Sequence, residues 1–198
     1  MSGPRYHVPF RRRRENLTDY HMRKTMIRSN KLRIVVRLSS KYIYIQLIEP
    51  SVNGDRVLAS VCSKELKEFG WNFSYSNTSS AYLSGLLLGK KAFIIKINEG
   101  ILDIGLRSSS SGSRVFAVLK GLIDMGLKVP HNKQILPSDE RIRGEHIAAY
   151  AIKLREEDEQ RYERLFCEYL SKGIKPEQLP EYFDKTRENI LNFARGER

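Results

Sequence analysis

Arginine carries a planar fork that pairs with phosphate in two hydrogen bonds, and Arg11, Arg12, Arg13 and Arg14 stand in a row near the start of this 198-residue chain. Arg5, Arg23, Lys24 and Arg28 extend the run, and Tyr6, His7, Phe10 and Tyr20 interleave rings with it. Rings that stack beside cations that hold phosphate are the composition that looped or single-stranded RNA selects. A solvated charged tail and a short targeting signal are the plainer alternatives. Against the tail, positive charge continues through Lys31, Arg33, Arg37 and Lys41, in a segment that alternates like a strand.

A second chemical stretch is "ILDIGLRSSSSGSRVF", Ile101 to Phe116. An aspartate near a strand end, then a hydroxyl-rich loop opening a helix, can cradle phosphate. Asp103 also suggests a metal-dependent nucleotide- or nucleic-acid-processing enzyme of ribonuclease-H-like fold. That chemistry needs several converging carboxylates, and no partner pattern for Asp103 is visible. No Gly-Lys-Ser/Thr follows the loop, so a Walker-type phosphate loop is excluded. The reading favoured is a non-catalytic loop in which Arg107, Gly112, Ser113 and Arg114, with backbone N–H groups, hold RNA phosphate. The plainer role for Asp103 is to satisfy backbone donors beside the loop.

The third stretch is "RIRGEH", where Arg143 and His146 stand at the start of a helix, as an RNA contact or as an ordinary solvated turn. The four histidines and the two cysteines, Cys62 and Cys167, show no zinc-site spacing. Cys62 reads as a small core residue, and Trp71 as a core or loop anchor. No metal, cofactor or small-molecule substrate is expected.

Charge distribution supports a polyanion partner. The chain carries a formal +12, yet residues 1–41 hold twelve Lys/Arg against Glu15 and Asp19 alone. The remaining residues are close to neutral, so the excess marks one place on the protein. No apolar run approaches the roughly 20 residues needed to span a bilayer, so no membrane partner is expected. The start of the chain lacks the apolar core of a secretory signal, and two cysteines make no disulfide framework. A cytoplasmic setting is expected.

The elements that must position these residues follow from periodicity. Residues 1–30 lack a clean apolar period and read as a basic arm with a short helix from Thr18 to Arg28. Arg33–Leu38 and Tyr42–Ile48 read as strands joined at Ser39-Ser40, and Arg56–Cys62 as a third after "VNGD", giving an antiparallel meander. A helix runs from Asn77 or Thr78 to about Phe93, and its stripe of Ala81, Gly85 and Gly89 suits close packing on a sheet. Ile101–Leu106 reads as a buried strand parallel to a neighbour, and residues 115–126 as a helix ended by Gly126. Ser138 caps a helix reaching residue 154. Together, residues 31–154 make an α/β sandwich with a mixed sheet. Residues 155–198 read as a helical docking extension with a stripe of Tyr162, Leu165, Phe166, Tyr169 and Leu170, broken at Pro176 and Pro180 before a last amphipathic piece, residues 181–194.

Seven stretches now stand in order: "RRRRENLTDYHMRK", "LRIVVRLSSKYIYIQLIE", "GDRVLASVCSKELKEFGW", "NTSSAYLSGLLLGKKA", "LDIGL", "GSRVFAVLKGLIDMGLKVPH" and "ILPSDERIRGEHIAAYA". In that order they resemble the archaeal and eukaryotic-type L-eighteen family of large-ribosomal-subunit proteins, over roughly Arg5 to Leu154. The resemblance implies a ribonuclease-H-like α/β sandwich without enzymatic activity. It implies binding to 5S rRNA, attachment to 23S rRNA in the central protuberance of the large subunit, and contacts to neighbouring ribosomal proteins. The family's basic motif falls on Arg11 to Arg14, Tyr20, Arg23 and Lys24. Its glycine-serine-arginine loop falls on Gly112 to Arg114, and its arginine-glycine-glutamate-histidine motif on Arg143 to His146. The chain departs from the pattern at Cys62 and in the run Ser108 to Ser111.

Overall fold

A computed structural model describes residues 3–193 apart from Val52. The first three strands form the expected meander: β1 (Arg33–Leu38), β2 (Ile43–Ser51) and β3 (Gly54–Cys62). β4 (Ile101–Asp103) adds to β1 in parallel, so the sheet is mixed, in the order β3-β2-β1-β4. β4 is shorter than the expected Ile101–Leu106, because Gly105 turns the chain with φ +67°.

Period-2 alternation divides the sheet into two faces. Ile34, Val36, Ile43, Ile45 and Leu47 point to the helices and are fully buried. Arg33, Val35 and Arg37 point the other way. So do Ile48, which pairs with Arg33, and Asp103, which pairs with Val35. Val35 and Ile48 are buried on this second face as well. The arm lies on this side of the sheet. After the single turn α1 (Arg11–Arg14), Asp19 caps α2 (Tyr20–Arg28) by accepting from the N–H groups of His21 and Met22. Leu17, Met22 and Met26 then share a cleft with Val35, Ile48 and Leu102.

On the first face, α3 (Thr78–Ile94) is capped by Asn77, whose side chain accepts from Ser80 N–H at 2.7 Å. Apolar nearly all round, it is buried against β2, β3, α4 (Arg114–Asp124) and α8 (Leu179–Asn192). The small-residue stripe of α3 does not meet the sheet. A Cβ on Gly85 would stand 2.2 Å from the carbonyl oxygen of Val118, and one on Gly121 of α4 would stand 2.3 Å from that of Tyr82. The glycines face across a helix crossing and bring two backbones together.

The expected helix over 138–154 is two, α5 (Asp139–Arg143) and α6 (Glu145–Glu157), because Gly144 adopts φ +79° between them. α7 (Glu159–Leu170) carries a non-helical residue at Phe166, and Leu165, placed in the apolar stripe from sequence, faces solvent. Pro180 does not break the chain but sits in the first turn of α8, where a missing N–H costs nothing. Residues 155–193 divide between two cores. Tyr162 and Phe166 pack with Ala151 and Leu154 in a small cluster, while Leu179, Phe183 and Ile190 join the main core. Ala194, the last residue of the amphipathic piece read from sequence, lies outside the described residues. Among the described residues, no helix is long and apolar enough to cross a membrane.

Candidate nucleic-acid interface

The register of β1 and β4 sets the charges on the arm-facing side of the sheet. Asp103, opposite Val35, lies between Arg33 and Arg37, which stand four residues apart on the same face of β1. Arg33 Nη1 donates to Asp103 Oδ2 at 3.2 Å, and Arg37 Nη2 donates to Asp103 Oδ1 at 3.1 Å. The same Oδ1 accepts from the Gly105 N–H at 2.9 Å. Gly105 is glycine for a second reason besides its φ. A Cβ there would stand 3.1 Å from Arg37 Cζ, so the guanidinium lies flat against the turn.

This arrangement decides between the two readings of Asp103. Its side chain is 5% exposed, and both oxygens face guanidinium or amide donors. A carboxylate so placed is directed at arginines and a backbone amide of its own fold rather than at a metal ion. Among the described residues, no three His, Cys, Asp or Glu side chains converge as a metal cluster. Asp103 is the internal counter-ion of two arginines, which extends the plainer reading from backbone donors to side-chain cations. Asp103→Asn should therefore cost about 2 kcal/mol of stability, the range for hydrogen bonds to charged groups. Denaturant unfolding checks this, and a variant as stable as the parent would show that the pairings contribute nothing.

Arg33 is corrected by the same geometry. Expected as an RNA contact, its side chain is 4% exposed and is held by Asp55 Oδ2 at 2.7 Å as well as by Asp103. Burying a cation is costly unless it is paired, so the fold uses this one internally. Arg37 differs: 49% of its side chain is exposed. It is anchored at one side, to the carbonyls of Val36 and Asp103, and open at the other.

The other expected cations fall into three groups. Arg5, Arg11 to Arg14, Lys24 and Arg28 lie exposed on the arm. The rings of Tyr6 and Phe10 are also exposed, with Phe10 tilted against the half-buried Tyr20 at 5.3 Å. Arg12 donates to Thr18 Oγ1 at 2.9 Å and lines the cleft beside Arg37, Gly105 and Leu106. The second group surrounds the β1–β2 turn. Lys41 is exposed there, and Arg107 reaches the Leu38 carbonyl at 2.8 Å. Lys31 lies at the opposite end of β1, paired with Glu99. The third group is apart: Arg143 pairs with Glu145 and with Asp184 of α8 at 2.7 Å. His146, beside it in sequence, has its pKa pushed below the usual imidazole value by burial and by Arg141. At neutral pH it offers a neutral ring, not a charge.

The serine loop departs from its expected use. Gly112 N–H donates to the Ile135 carbonyl, Ser113 N–H to that of Ser110, and Arg114 Nη1 to both oxygens of Ser76. These donors are already spent on the protein. Through Ser76, whose hydroxyl donates to the Ser39 carbonyl, Arg114 braces the turn that carries Lys41. The residue that sequence reading missed is Asp55, which joins Arg33 to Arg23 of α2. Its only local signal was its place in "VNGD", which marks a turn.

Exposed arginines on one side of a sheet, with Asp55 and Asp103 beside them paired to arginines, form a surface suited to a polyanion. A family model described as "Ribosomal large subunit proteins 60S L5, and 50S L18" matches residues 4–98 and 95–132. A large ribosomal subunit protein uL18 from Aeropyrum pernix is 47% identical over 189 residues, covering 95% of this chain and 88% of that protein. One from Methanothermobacter thermautotrophicus is 48% identical over 188 residues, covering 95% of this chain and 96% of that protein. The chain belongs to the family of ribosomal large-subunit proteins that includes archaeal L18, and its role is that of a structural constituent of the large subunit.

Proposed function

We propose that this protein binds 5S rRNA and helps attach it to 23S rRNA in the central protuberance of the large subunit, among neighbouring ribosomal proteins in the cytoplasm. The observation that carries the reading is the cationic rim of the arm–sheet cleft. Arg12 and Arg37 line the cleft, the rest of the tetra-arginine adjoins Arg12, and Arg107 and Lys41 stand at the neighbouring turn. Meanwhile Asp55 and Asp103, the carboxylates beside them, are consumed by internal pairing. Phosphates supply affinity at such a rim, and Tyr6 and Phe10 supply stacking surface for unpaired bases. Arg143 and His146, on a different side, suit a second contact, either to 23S rRNA or to a neighbouring protein.

The test is competition between RNAs of similar length. Purified protein should bind 5S rRNA at physiological salt, and a large excess of transfer RNA should not displace it. Cross-links should map to residues 5–41 and 107. Equal displacement by transfer RNA would reduce the surface to a nonspecific polyanion binder and overturn the reading.

A further inference from the structure

We infer that Asp55 is a positioning residue that latches the basic arm to the sheet before any RNA arrives. The inference rests on the RNA-binding role proposed above and names the device that shapes its surface. Asp55 Oδ2 accepts from two arginines at once: Arg23 of α2 at 2.8 Å and Arg33 of β1 at 2.7 Å. Arg33 passes the linkage to Asp103, and Asp103 to Arg37. An unbroken row of alternating charges thus runs from the arm, through the β2–β3 hairpin, to the far edge of the sheet.

Two independent features show the arm seated on this row. First, Val35 and Ile48 are buried on the face away from α3, and Leu17, Met22 and Met26 share their cleft of about 220 Å³. Second, the pairing Pro50↔Asp55 directs Asp55 to the same face as Ile48, so the hairpin offers its carboxylate on the side where the arm lies. The apolar contact is small and includes two flexible methionines, which specify position poorly. The shared carboxylate supplies the fixed point. Arg11 to Arg14 have no buried residue among them, so their position relative to Arg37 and Arg107 depends on where α2 is held.

The latch makes a prediction of unexpected sign. Asp55→Asn removes a negative charge from a polyanion-binding surface. By long-range attraction alone, RNA affinity should rise. If the arm is prepositioned by Asp55, affinity should instead fall, because a binding-competent state populated a fraction of the time weakens apparent affinity by that fraction. A docked fraction falling to about a tenth would weaken 5S rRNA binding about tenfold.

The test begins without RNA. Hydrogen exchange of the amides of Met22 to Arg28, and tryptic cleavage at Arg14 and Lys24, should quicken about tenfold or more in Asp55→Asn, while exchange in α3 stays at the parent rate. Asp55→Glu should restore much of the protection. Should Asp55→Asn loosen α3 as well, Arg23→Gln provides the same arm measurement with the Arg33–Asp55 pair intact. Unchanged arm exchange in both variants would overturn the latch. So would a freed arm that leaves 5S rRNA affinity equal to or above that of the parent. A parent protein that binds no 5S rRNA would sink the proposed function instead, and arm exchange would still decide whether the latch exists.

Discussion

Gly121→Ala should destabilise the protein by about 3–5 kcal/mol, although alanine is the better helix former by up to about 1 kcal/mol. The added Cβ would lie 2.3 Å from the Tyr82 carbonyl oxygen and 2.8 Å from the Leu86 nitrogen. Both are backbone atoms inside α3, so no side chain can swing away. Relief requires α4 to withdraw by about an ångström, which opens gaps along the whole crossing, and close-packed interiors penalise such gaps. Gly85→Ala meets the Val118 backbone at 2.2 Å and should cost a similar amount. Gly89→Ala meets mainly the Met125 side chain, at the end of α4, and should cost about 1–2 kcal/mol. Denaturant midpoints of the three variants check the order. A stabilised Gly121→Ala would mean that helix propensity, not the crossing, governs this position. With native stabilities of about 5–15 kcal/mol, the predicted loss is a large share of the total.

Replacing Arg11 to Arg14 together by alanine should leave the melting curve almost unchanged and weaken 5S rRNA binding about a thousandfold near 0.1 M salt. The first half follows from exposure. α1 buries no residue, and the Arg11–Glu15 pair is 4.0 Å apart and open to solvent. The second half follows from counterion release, in which each phosphate neutralised contributes roughly 0.7–0.9 to the slope of log affinity against log salt. Losing four contacts should flatten that slope by about 3. Parent affinity should fall by roughly 10³–10⁵ between 50 and 200 mM salt if about 6–10 phosphates are engaged. A variant that keeps the parent's slope would show that the tetra-arginine does not touch the backbone of the RNA.

Local pattern made much of the scaffold legible. β-branched alternation exposed β1 to β3, and the Asn77 cap with its apolar run exposed α3. What stayed hidden depends on partners distant in sequence. The stripe of Gly85 and Gly89 announces a close approach but cannot say to what, and the answer, α4, begins at Arg114. Arg33 and Arg37 look identical in "RIVVR". Only the parallel pairing of β4 and the carboxylate of Asp55 make one a buried counter-ion and the other a half-exposed cation. The serine loop carries the residue types of a phosphate cradle, yet its amides are claimed by Ser110 and Ile135, which no spacing rule reveals.

The packing of α8 has a consequence for synthesis. Leu179, Phe183 and Ile190 close over α3, and Leu179 sits where a Cβ on Gly144 would stand, 2.2 Å from its Cδ2. A ribosome makes the arm and the sheet before these three residues. While α8 is still in the exit tunnel, α3 has no cover on that side, and the emerging chain presents its basic arm beside an open apolar helix. The core seals only after Ile190 has emerged. A chain cut short before that point carries the arginines without the finished scaffold.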